Sequence, residues 1–229
     1  METLFCGYTL EIPKGAFPLS TDSMVLAHFI TLPKNAWVLD LGSGCGTLGL
    51  LLCAKDPGCH VVGFEITALS HEAAVENIRR NHLEARMESI CQDLRAIPDR
   101  VAPGSFSCCV SNPPYFSGGF SSQKTPLARQ TLECGLSALL KSAAWALKYG
   151  GDLFLVHKPE RLGEILGLAA GVHLEAKRLC LVRHREGDVP SLILLQLRKG
   201  GKPGLIWEEI TLYEKDGTPT KEYRSIYHL

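Results

Sequence analysis

Four consecutive residues, Asn112-Pro113-Pro114-Tyr115, bring together the groups needed to hold a planar amino or amide group and make its nitrogen reactive. The side-chain amide oxygen of Asn112 and the main-chain carbonyl of Pro113 can accept its two N–H bonds, while the ring of Tyr115 offers a flat π face. Accepting both bonds favours a pyramidal nitrogen whose lone pair can attack, so positioning and electrostatic preorganisation suffice without a side-chain nucleophile. The alternative is a surface turn stiffened by two prolines.

The apolar run from Phe106 to Val110 predicts a strand that delivers these four residues. Neither proline has an N–H to give to a sheet, and the residue before a proline is driven to extended geometry, so the segment forms a stiff elbow just beyond the strand. In open α/β sheets, ligands bind at the carboxyl ends of the strands. We therefore predict a catalytic role for Asn112, Pro113, Pro114 and Tyr115.

A glycine-rich turn between a buried strand, Trp37 to Leu41, and a helix, Thr47 to Ala54, predicts a cofactor site. Glycines let the backbone approach a ligand closely, and the start of the helix points N–H groups at it. The spacing Gly44-x-Gly46-x-x-Gly49 satisfies a dinucleotide pattern, but Asp40 beside the turn disfavours a pyrophosphate and favours a cofactor with cationic groups. The predicted contacts here are Asp40, Gly42, Ser43, Gly44 and Gly46.

Acidic residues at the ends of the next two strands extend this predicted site. Glu65 ends a strand that begins at His60, 19 residues after Gly46, where a carboxylate can accept hydrogen bonds from both ribose hydroxyls. A third strand, Arg86 to Gln92, leads to Asp93 and Leu94. Asp93 can accept from an adenine amino group with Leu94 against the ring, or it can simply cap the following turn. Further predicted cofactor contacts are Ile66, which follows Glu65, and Asn112.

A predicted helix, Asp22 to Ile30, lies in a lead-in of 35 residues before the first strand. Ser20 or Thr21 is a candidate N-cap. Asp22 falls in the first turn, where an acid suits the helix dipole, so stabilisation of the helix and a cofactor contact are both open for this side chain. The predicted buried face comprises Met24, Ala27 and either Leu26 or Phe29.

The order of the elements predicts one α/β domain over residues 1–229, with a mostly parallel sheet that gains antiparallel strands late. Residues 1–35 form a lead-in over the cofactor site, 36–200 a Rossmann-like core, and 201–229 an extension packed on the sheet. The remaining predicted elements are a helix from Thr131 to Lys148, a strand from Asp152 to His157, a helix from Arg161 to Ala170, and two long strands, His173 to Arg185 and Ser191 to Arg198.

The composition indicates an ordinary globular protein with zero net charge, 24 basic against 24 acidic residues, and thus no global attraction to nucleic acid. The nine cysteines lie mostly in apolar runs without a C-x-x-C pair, so we expect buried free thiols and a cytoplasmic location. The start of the chain lacks the features of a signal peptide, and no apolar stretch is long enough for a membrane span. We expect no metal site, because the histidines are scattered, and favour a monomer.

A basic run is the one local candidate for phosphate contacts. Between Lys177 and Lys202 there are seven lysines or arginines and two acids, and strand alternation places several of the cations on one face. The alternative is a charged sheet edge that discourages aggregation. The seven cations are Lys177, Arg178, Arg183, Arg185, Arg198, Lys199 and Lys202.

The segment from Asp40 to Gly46, Glu65, Asp93 and the segment from Asn112 to Tyr115, in this order and spacing, resemble the amino-directed methyltransferases that use S-adenosylmethionine. Other segments are similar to the bacterial family that methylates N6 of adenine 37, beside the anticodon of a valine tRNA. These are Gly15-Ala16-Phe17, Asp22 to Phe29, Ala128-Arg129, His157 to Leu162, Leu212-Tyr213 and Thr220 to Tyr227. The resemblance covers nearly the whole chain. It implies a seven-stranded class I methyltransferase fold flanked by helices, S-adenosylmethionine as cofactor and a cytoplasmic tRNA substrate.

This resemblance implies N6-methylation of an adenine in structured RNA, with tRNA favoured. The target base would be splayed out and stacked on Tyr115 and Phe116, and the similar segments supply Arg129 and Lys158 as predicted substrate contacts. In one departure, the family usually continues Ala128-Arg129 with His-Glu, whereas Gln130-Thr131 follow here, so the choice of RNA is open. The alternatives are a glutamine N5-methyltransferase acting on a protein, a guanine-N2 rRNA methyltransferase, and a non-catalytic RNA-binding module on the same scaffold.

Overall fold

An eight-stranded sheet runs through the part of the chain that the computed structural model describes, namely residues 2–5, 7–113 and 126–229, with 126–134 described in backbone only. A separate antiparallel pair precedes it, formed by β1 (Glu2–Thr3) and β2 (Thr9–Leu10). The strands of the main sheet are β3 (Trp37–Leu41), β4 (His60–Glu65), β5 (Met87–Cys91), β6 (Phe106–Ser111), β7 (Leu147–His157), β8 (Leu174–Arg185), β9 (Leu192–Lys199) and β10 (Ile206–Tyr213).

The strand order β10-β8-β9-β7-β6-β3-β4-β5 determines where a ligand can bind. Of these eight strands, β9 alone runs antiparallel to its neighbours, and the others all end at the same edge of the sheet. From β3 the chain proceeds outward through β4 and β5, and then returns to place β6 on the other side of β3. The gap between the ends of β3 and β6 is therefore the topological switch point, where open α/β sheets bind their ligands.

Helices cover both faces of the sheet because the central strands are apolar on both sides. Val38 and Val110 belong to one buried cluster, whereas the alternate residues Leu39 and Cys109 belong to the other. The first face is covered by α1, α2, α3 and α7, the second by α4, α5 and α6. The helices are α1 (Thr21–Phe29), α2 (Thr47–Lys55), α3 (Ala68–Arg80), α4 (Ile97–Arg100), α5 (Pro126–Ala146), α6 (Leu162–Ala170) and α7 (Lys221–Tyr227), with 3-10 turns at Leu94–Ala96 and Pro159–Arg161.

The predicted Rossmann-like fold class is confirmed, and most predicted core strands and helices fall close to their observed bounds. The start of the strand predicted from Asp152 to His157 was wrong, because β7 already begins at Leu147 and runs through Gly150 and Gly151. The sheet, however, has eight strands rather than seven, because residues 206–213 of the C-terminal extension join its edge as β10 and do not merely pack on it. Helix α5 begins at Pro126 and ends at Ala146, so the helix predicted from Thr131 to Lys148 started too late and ended too late. Ser20 occupies the N-cap position of α1, but its side chain makes no capping hydrogen bond.

Strand β10 is held to β8 by charge as well as by backbone pairing. Arg178 of β8 contacts Glu208 through two hydrogen bonds of 2.7 and 2.9 Å, and Arg183 lies 2.8 Å from Glu209. Several cations of the basic run are therefore engaged inside the sheet. In the same way, Arg198 forms two 2.8 Å hydrogen bonds with Asp152 of β7. This pairing argues against a phosphate-binding face. The alternative of a charged sheet edge is also wrong, because β8 and β9 lie between β10 and β7 and are paired on both sides.

Three further observations on the described residues concern the cysteines, the possibility of a membrane span and the possibility of a metal site. Seven cysteines have described side chains, all as free thiols, and six of the seven are buried. No helix in this part of the chain combines the length and apolar character needed to cross a membrane. Within the same residues, no three histidine, cysteine, aspartate or glutamate side chains come together as a potential set of metal ligands.

Candidate active site

The ends of β3 and β6 bring the two predicted sites together at the switch point. Asp40 of β3 is the register partner of Val110 in β6, so the glycine turn after β3 lies beside the elbow that begins at Asn112. The Ser111 hydroxyl donates a 2.6 Å hydrogen bond to the carbonyl of Leu41, which ties the two strand ends to each other. The predicted cofactor turn and the predicted catalytic elbow are therefore neighbours, although they are about 70 residues apart in the chain.

The glycine turn leaves open space beside its backbone. Gly42 and Gly44 have φ angles of +79° and +56°, in the left-handed region that favours glycine, and a Cβ atom on either would meet no atom within 4 Å. The N–H groups of Gly42 and Ser43 both donate to the carbonyl of Phe64 in β4, at 2.9 and 3.0 Å. The turn is thus held in place from behind while its open side is available to a ligand.

Gly49, the last glycine of the dinucleotide-like spacing, has a packing role. A Cβ there would lie 2.3 Å from Met87 Cε, so this glycine allows α2 to pack closely on β5. The open side of the turn therefore belongs to Gly42 and Gly44.

Glu65 stands at the end of β4 with both carboxylate oxygens bonded to the backbone. Its Oε2 accepts from the N–H of Gly44 at 2.9 Å, and its Oε1 accepts from the N–H of Thr67 at 2.7 Å. These bonds orient the carboxylate beside the glycine turn, and each oxygen keeps a second lone pair for a further donor. The contact between Glu65 and ribose hydroxyls stays a prediction. The observed orientation of the carboxylate is compatible with it.

Two buried polar side chains of the site, Asp40 and Ser43, have no hydrogen-bond partner among the described residues. Asp40 is 1% exposed and has two unsatisfied carboxylate oxygens, and Ser43 has an unsatisfied hydroxyl. Burial, and secondarily the negative charge of Glu65, raise the pKa of Asp40 to about 7. An unpaired buried carboxylate is costly, so this position suits a ligand that brings hydrogen-bond donors or positive charge. The sulfonium and ammonium groups of S-adenosylmethionine fit that requirement.

The described part of the elbow comprises Asn112 and Pro113. The Asn112 side-chain Nδ2 donates to Ser23 Oγ of α1 at 3.0 Å. Asn112 and Pro113 are both half-buried, beyond the last residue of β6. The other predicted elbow and substrate residues, Pro114, Tyr115 and Phe116, lie outside the described residues, as does the side chain of Arg129.

Asp93 caps the 3-10 turn that follows β5. Its Oδ1 accepts from the Arg95 N–H at 2.8 Å, and both oxygens accept from the Arg95 guanidinium. These hydrogen bonds lower the pKa of Asp93. The capping interpretation of Asp93 thus describes what the carboxylate does here, and its contact with an adenine stays a prediction. Ile66, by contrast, is 66% exposed and presents an open apolar surface next to Glu65. Leu94 and Asp22 are both half-buried.

Lys158 follows β7 on the other side of the elbow. Its Nζ donates to the carbonyl of Ser191 at 3.4 Å, and its N–H donates to Nδ1 of His157 at 2.8 Å. Burial, followed by the charge of Arg161, lowers the pKa of His157 to about 4. The ring is therefore neutral near pH 7 and carries its proton on Nε2, because Nδ1 accepts a hydrogen bond.

Two asparagines, Asn77 in α3 and Asn81 directly after it, hold the lead-in against the glycine turn. Asn77 bonds both the N–H and the carbonyl of Glu11, at 2.8 and 2.9 Å, and also donates to the carbonyl of Cys45 at 3.0 Å. Asn81 bonds both main-chain groups of Thr9 at 2.8 Å. Four helical residues and two extended residues both span roughly 6 Å, so the two asparagines match the lead-in in register. Sequence reasoning missed this pair, whose only signal is the i, i+4 spacing of two asparagines.

Helix α1 is anchored at both ends. Lys55 Nζ of α2 donates to the carbonyls of Ala27, His28 and Ile30, at 2.9, 3.0 and 2.5 Å. Arg178 of β8 donates to the carbonyl of Phe29 at 3.2 Å. At the other end, Tyr227 of α7 contacts Thr21, with 3.3 Å between their hydroxyl oxygens. These contacts fix the helix that presents Ser23 to Asn112.

Comparisons with known proteins agree with this geometry. Residues 19–164 match the model of the family described as the methyltransferase small domain. A relative from Tolumonas auensis named tRNA1(Val) (adenine(37)-N6)-methyltransferase is 32% identical over 225 residues, covering 96% of this chain and 92% of the relative. A relative of the same name from Bacteroides thetaiotaomicron is 28% identical, with 97% and 93% covered.

Among solved structures, a protein described as a predicted O-methyltransferase from Agrobacterium tumefaciens matches with a TM-score of 0.76 and 20% identity, covering 91% of this chain and 96% of that one. At this identity the match speaks for the fold alone.

Proposed function

The chain belongs to the methyltransferase small domain family, and we propose that it transfers the methyl group of S-adenosylmethionine to the N6 atom of an adenine in tRNA, next to the anticodon. Membership of the family confirms the predicted methyltransferase class and S-adenosylmethionine as the donor. The names of the full-length relatives support the acceptor. A cytoplasmic monomer that needs no metal is part of the proposal.

The observation that carries the proposal is the buried Asp40 carboxylate, which has no partner among the described residues and lies in β3, next to the strand that leads into Asn112 at the switch point. We assign to the cofactor Asp22, Asp40, Gly42, Ser43, Gly44, Gly46, Glu65, Ile66, Asp93, Leu94 and Asn112. When bound, S-adenosylmethionine supplies an electrophilic methyl group on a sulfonium. Asp40 offers a negative charge to its cationic part, and the open sides of Gly42 and Gly44 allow close approach of the backbone.

At the elbow, the chain's own groups would act on the acceptor amine. Asn112 Oδ1 and the Pro113 carbonyl accept the two N6–H bonds, which orients the amine and makes its lone pair available. The lone pair would then form a bond to the methyl carbon as the carbon–sulfur bond of the sulfonium breaks. S-adenosylhomocysteine would leave, and the surplus N6 proton would pass to water. Tyr115 and Phe116 are assigned to stacking on the flipped base, and Arg129 and Lys158 to the RNA backbone. Stacking of this kind contributes roughly 1–3 kcal/mol per base.

Transfer of labelled methyl groups to unmodified tRNA tests the proposal directly. The purified protein, S-adenosylmethionine carrying a labelled methyl and tRNA transcripts are incubated, and the product is digested to nucleosides. We expect N6-methyladenosine, and the Asn112→Ala protein, which keeps the glycine turn, serves as the control. Label in N2-methylguanosine, or in a glutamine of an added release-factor protein with none in tRNA, would contradict the proposed acceptor.

A further inference from the structure

We propose that Ser23 is a positioning residue that fixes the orientation of the Asn112 side-chain amide, so that its oxygen faces the methyl-acceptor nitrogen. The inference rests on the proposed function and concerns a residue outside both the glycine turn and the elbow. Ser23 acts through Asn112 and is not itself assigned a contact with the substrate or the cofactor.

The hydrogen bond between Asn112 and Ser23 supports this orientation. Asn112 Nδ2 donates to Ser23 Oγ at 3.0 Å. The amide group is planar, so a bond that holds its nitrogen toward α1 directs its oxygen to the opposite side. Rotation of the amide by 180° exchanges the oxygen and nitrogen with almost no change in shape, and only hydrogen bonds distinguish the two orientations.

The two orientations differ completely in what they offer to an amine. With the oxygen forward, Asn112 accepts one of the N–H bonds of the acceptor group. With the nitrogen forward, it presents two donors to a group that itself needs acceptors, and the attacking nitrogen gains nothing. A residue that holds the NH2 group at the rear therefore controls whether the elbow can work.

Ser23 is itself well placed to act as a fixed partner. It is 4% exposed and lies among Met24, Val25, Leu26 and Ala27, which are all buried and apolar. A buried hydroxyl in such surroundings is costly unless it is hydrogen-bonded, and Asn112 provides a partner. Helix α1 is held at one end by Lys55 and at the other by Tyr227, so the hydroxyl has a defined position.

The Ser23→Ala variant tests the inference through a separation of kinetic constants. We expect kcat to fall on the order of tenfold, since one hydrogen bond that selects the productive orientation is lost. The Kd for S-adenosylmethionine and the KM for tRNA should stay within about twofold, because no binding group is removed. Ser107→Ala is the control: Ser107 lies near the start of β6, at the opposite end of the strand from Asn112, and its hydroxyl donates to the Trp37 carbonyl at 3.1 Å. Unchanged kcat in Ser23→Ala, or equal losses in kcat and in both affinities, would overturn the inference.

A second readout is independent of turnover. In protein labelled with 15N, the side-chain NH2 signal of Asn112 is identified by its loss in Asn112→Ala. We expect its protons to exchange with solvent several-fold faster in Ser23→Ala than in the unmodified protein, and to be unaffected by Ser107→Ala. Equal exchange in Ser23→Ala and the unmodified protein would overturn the inference.

The two readouts also separate this inference from the proposed function. If tRNA is not methylated while the exchange difference is present, the proposed acceptor fails and the role of Ser23 in holding the amide stands. If tRNA is methylated and Ser23→Ala matches the unmodified protein in kcat, the proposed function stands and the role of Ser23 fails.

Discussion

In the cofactor half of the site, formed by the ends of β3 and β4, polar groups are fixed by residues that are close in the chain, whereas in the acceptor half, at the end of β6, Asn112 is fixed by a distant helix. Glu65 takes its two hydrogen bonds from Thr67 and Gly44, 2 and 21 residues away. Asn112 bonds Ser23, 89 residues away. The Glu65 carboxylate is thus held within one short stretch of the chain, whereas the Asn112 amide depends on the assembled fold. Changes in the first should alter cofactor affinity, and changes in the second should alter turnover.

The largest expected effect comes from Asn112→Ala. Loss of an acceptor that acts on the developing charge of the amine should lower kcat on the order of a hundred- to a thousandfold, as removal of one preorganised polar group does elsewhere. The Kd for S-adenosylmethionine should change by less than about threefold, because Asp40 and the glycine turn remain. Single-turnover kinetics and calorimetry measure the two quantities. A parallel loss of cofactor affinity would show that the two halves do not separate.

The complementary change, Asp40→Asn, should act on affinity. Removing a buried charge that offsets a cationic ligand should raise the Kd for S-adenosylmethionine about 10- to 100-fold, the equivalent of about 1.5–3 kcal/mol for a charged hydrogen bond. At saturating cofactor, kcat should fall by only a few-fold. Asp99→Asn, an exposed aspartate of α4, is the control. An unchanged Kd in Asp40→Asn would remove Asp40 from the cofactor site.

Gly49→Ala tests the packing behind the cofactor half without touching its open side. The added methyl would lie 2.3 Å from Met87 Cε, so Met87 must move. We expect a loss of about 1–3 kcal/mol in the free energy of unfolding, typical of overpacking. In the presence of Met87→Ala, which makes room, the cost of Gly49→Ala should shrink. Denaturant unfolding of the unmodified protein, the two single variants and the double variant measures the coupling energy between positions 49 and 87. Additive losses of unfolding free energy would contradict the close packing of α2 on β5.

The smallest expected effect is a dependence of cofactor affinity on pH. The pKa of Asp40 is raised to about 7 in the folded protein, so below that value a bound proton competes with a cationic ligand. Affinity should therefore fall about tenfold between pH 8 and pH 6, which corresponds to one proton taken up per site below the pKa. Asp40→Asn should flatten this profile. If the affinity for S-adenosylmethionine changed equally with pH in Asp40→Asn and in the unmodified protein, a group other than Asp40 would be responsible for the pH dependence.

The same raised pKa has a consequence for stability in the absence of ligand. Between the unfolded value near 3.8 and about 7, the folded protein holds a proton on Asp40 that the unfolded chain has lost. Stability from this group therefore declines as pH rises through that interval. Asp40→Asn should remove this decline, which thermal unfolding at several pH values would show.

The parts of the site that could be predicted from the sequence are those formed by residues that follow one another in the chain. The glycine turn was predictable because strand, turn and helix follow one another directly, and the positive φ angles of Gly42 and Gly44 require glycine. The sequence could not decide whether Asp93 caps the following turn or contacts an adenine. The structure shows Arg95 as its partner, but in the sequence Arg95 cannot be distinguished from any other nearby cation. Ser23 could not be predicted, since its partner is set by the packing of α1 and not by any spacing in the chain.

The same distinction applies to the fold. Core strands such as β3 and β6 are continuous apolar runs and were recognised with their bounds. Strand β10 was missed because Glu208 and Glu209 interrupt its apolar pattern, and the arginines that pair with them lie in β8. A strand whose stabilisation comes from charges on a neighbouring strand carries little periodic signal of its own.

The two asparagines at the end of α3, Asn77 and its C-cap Asn81, allow opening of the lead-in to be followed by amide hydrogen exchange. The N–H of Thr9 donates a hydrogen bond to the side chain of Asn81, and the N–H of Glu11 donates one to the side chain of Asn77. Their exchange with deuterium therefore requires the lead-in to separate from α3, and the two amides should open together. Asn77 also donates to the carbonyl of Cys45 in the glycine turn. Slower amide exchange at Thr9 and Glu11 on addition of S-adenosylmethionine would therefore detect cofactor binding at residues that do not contact the cofactor.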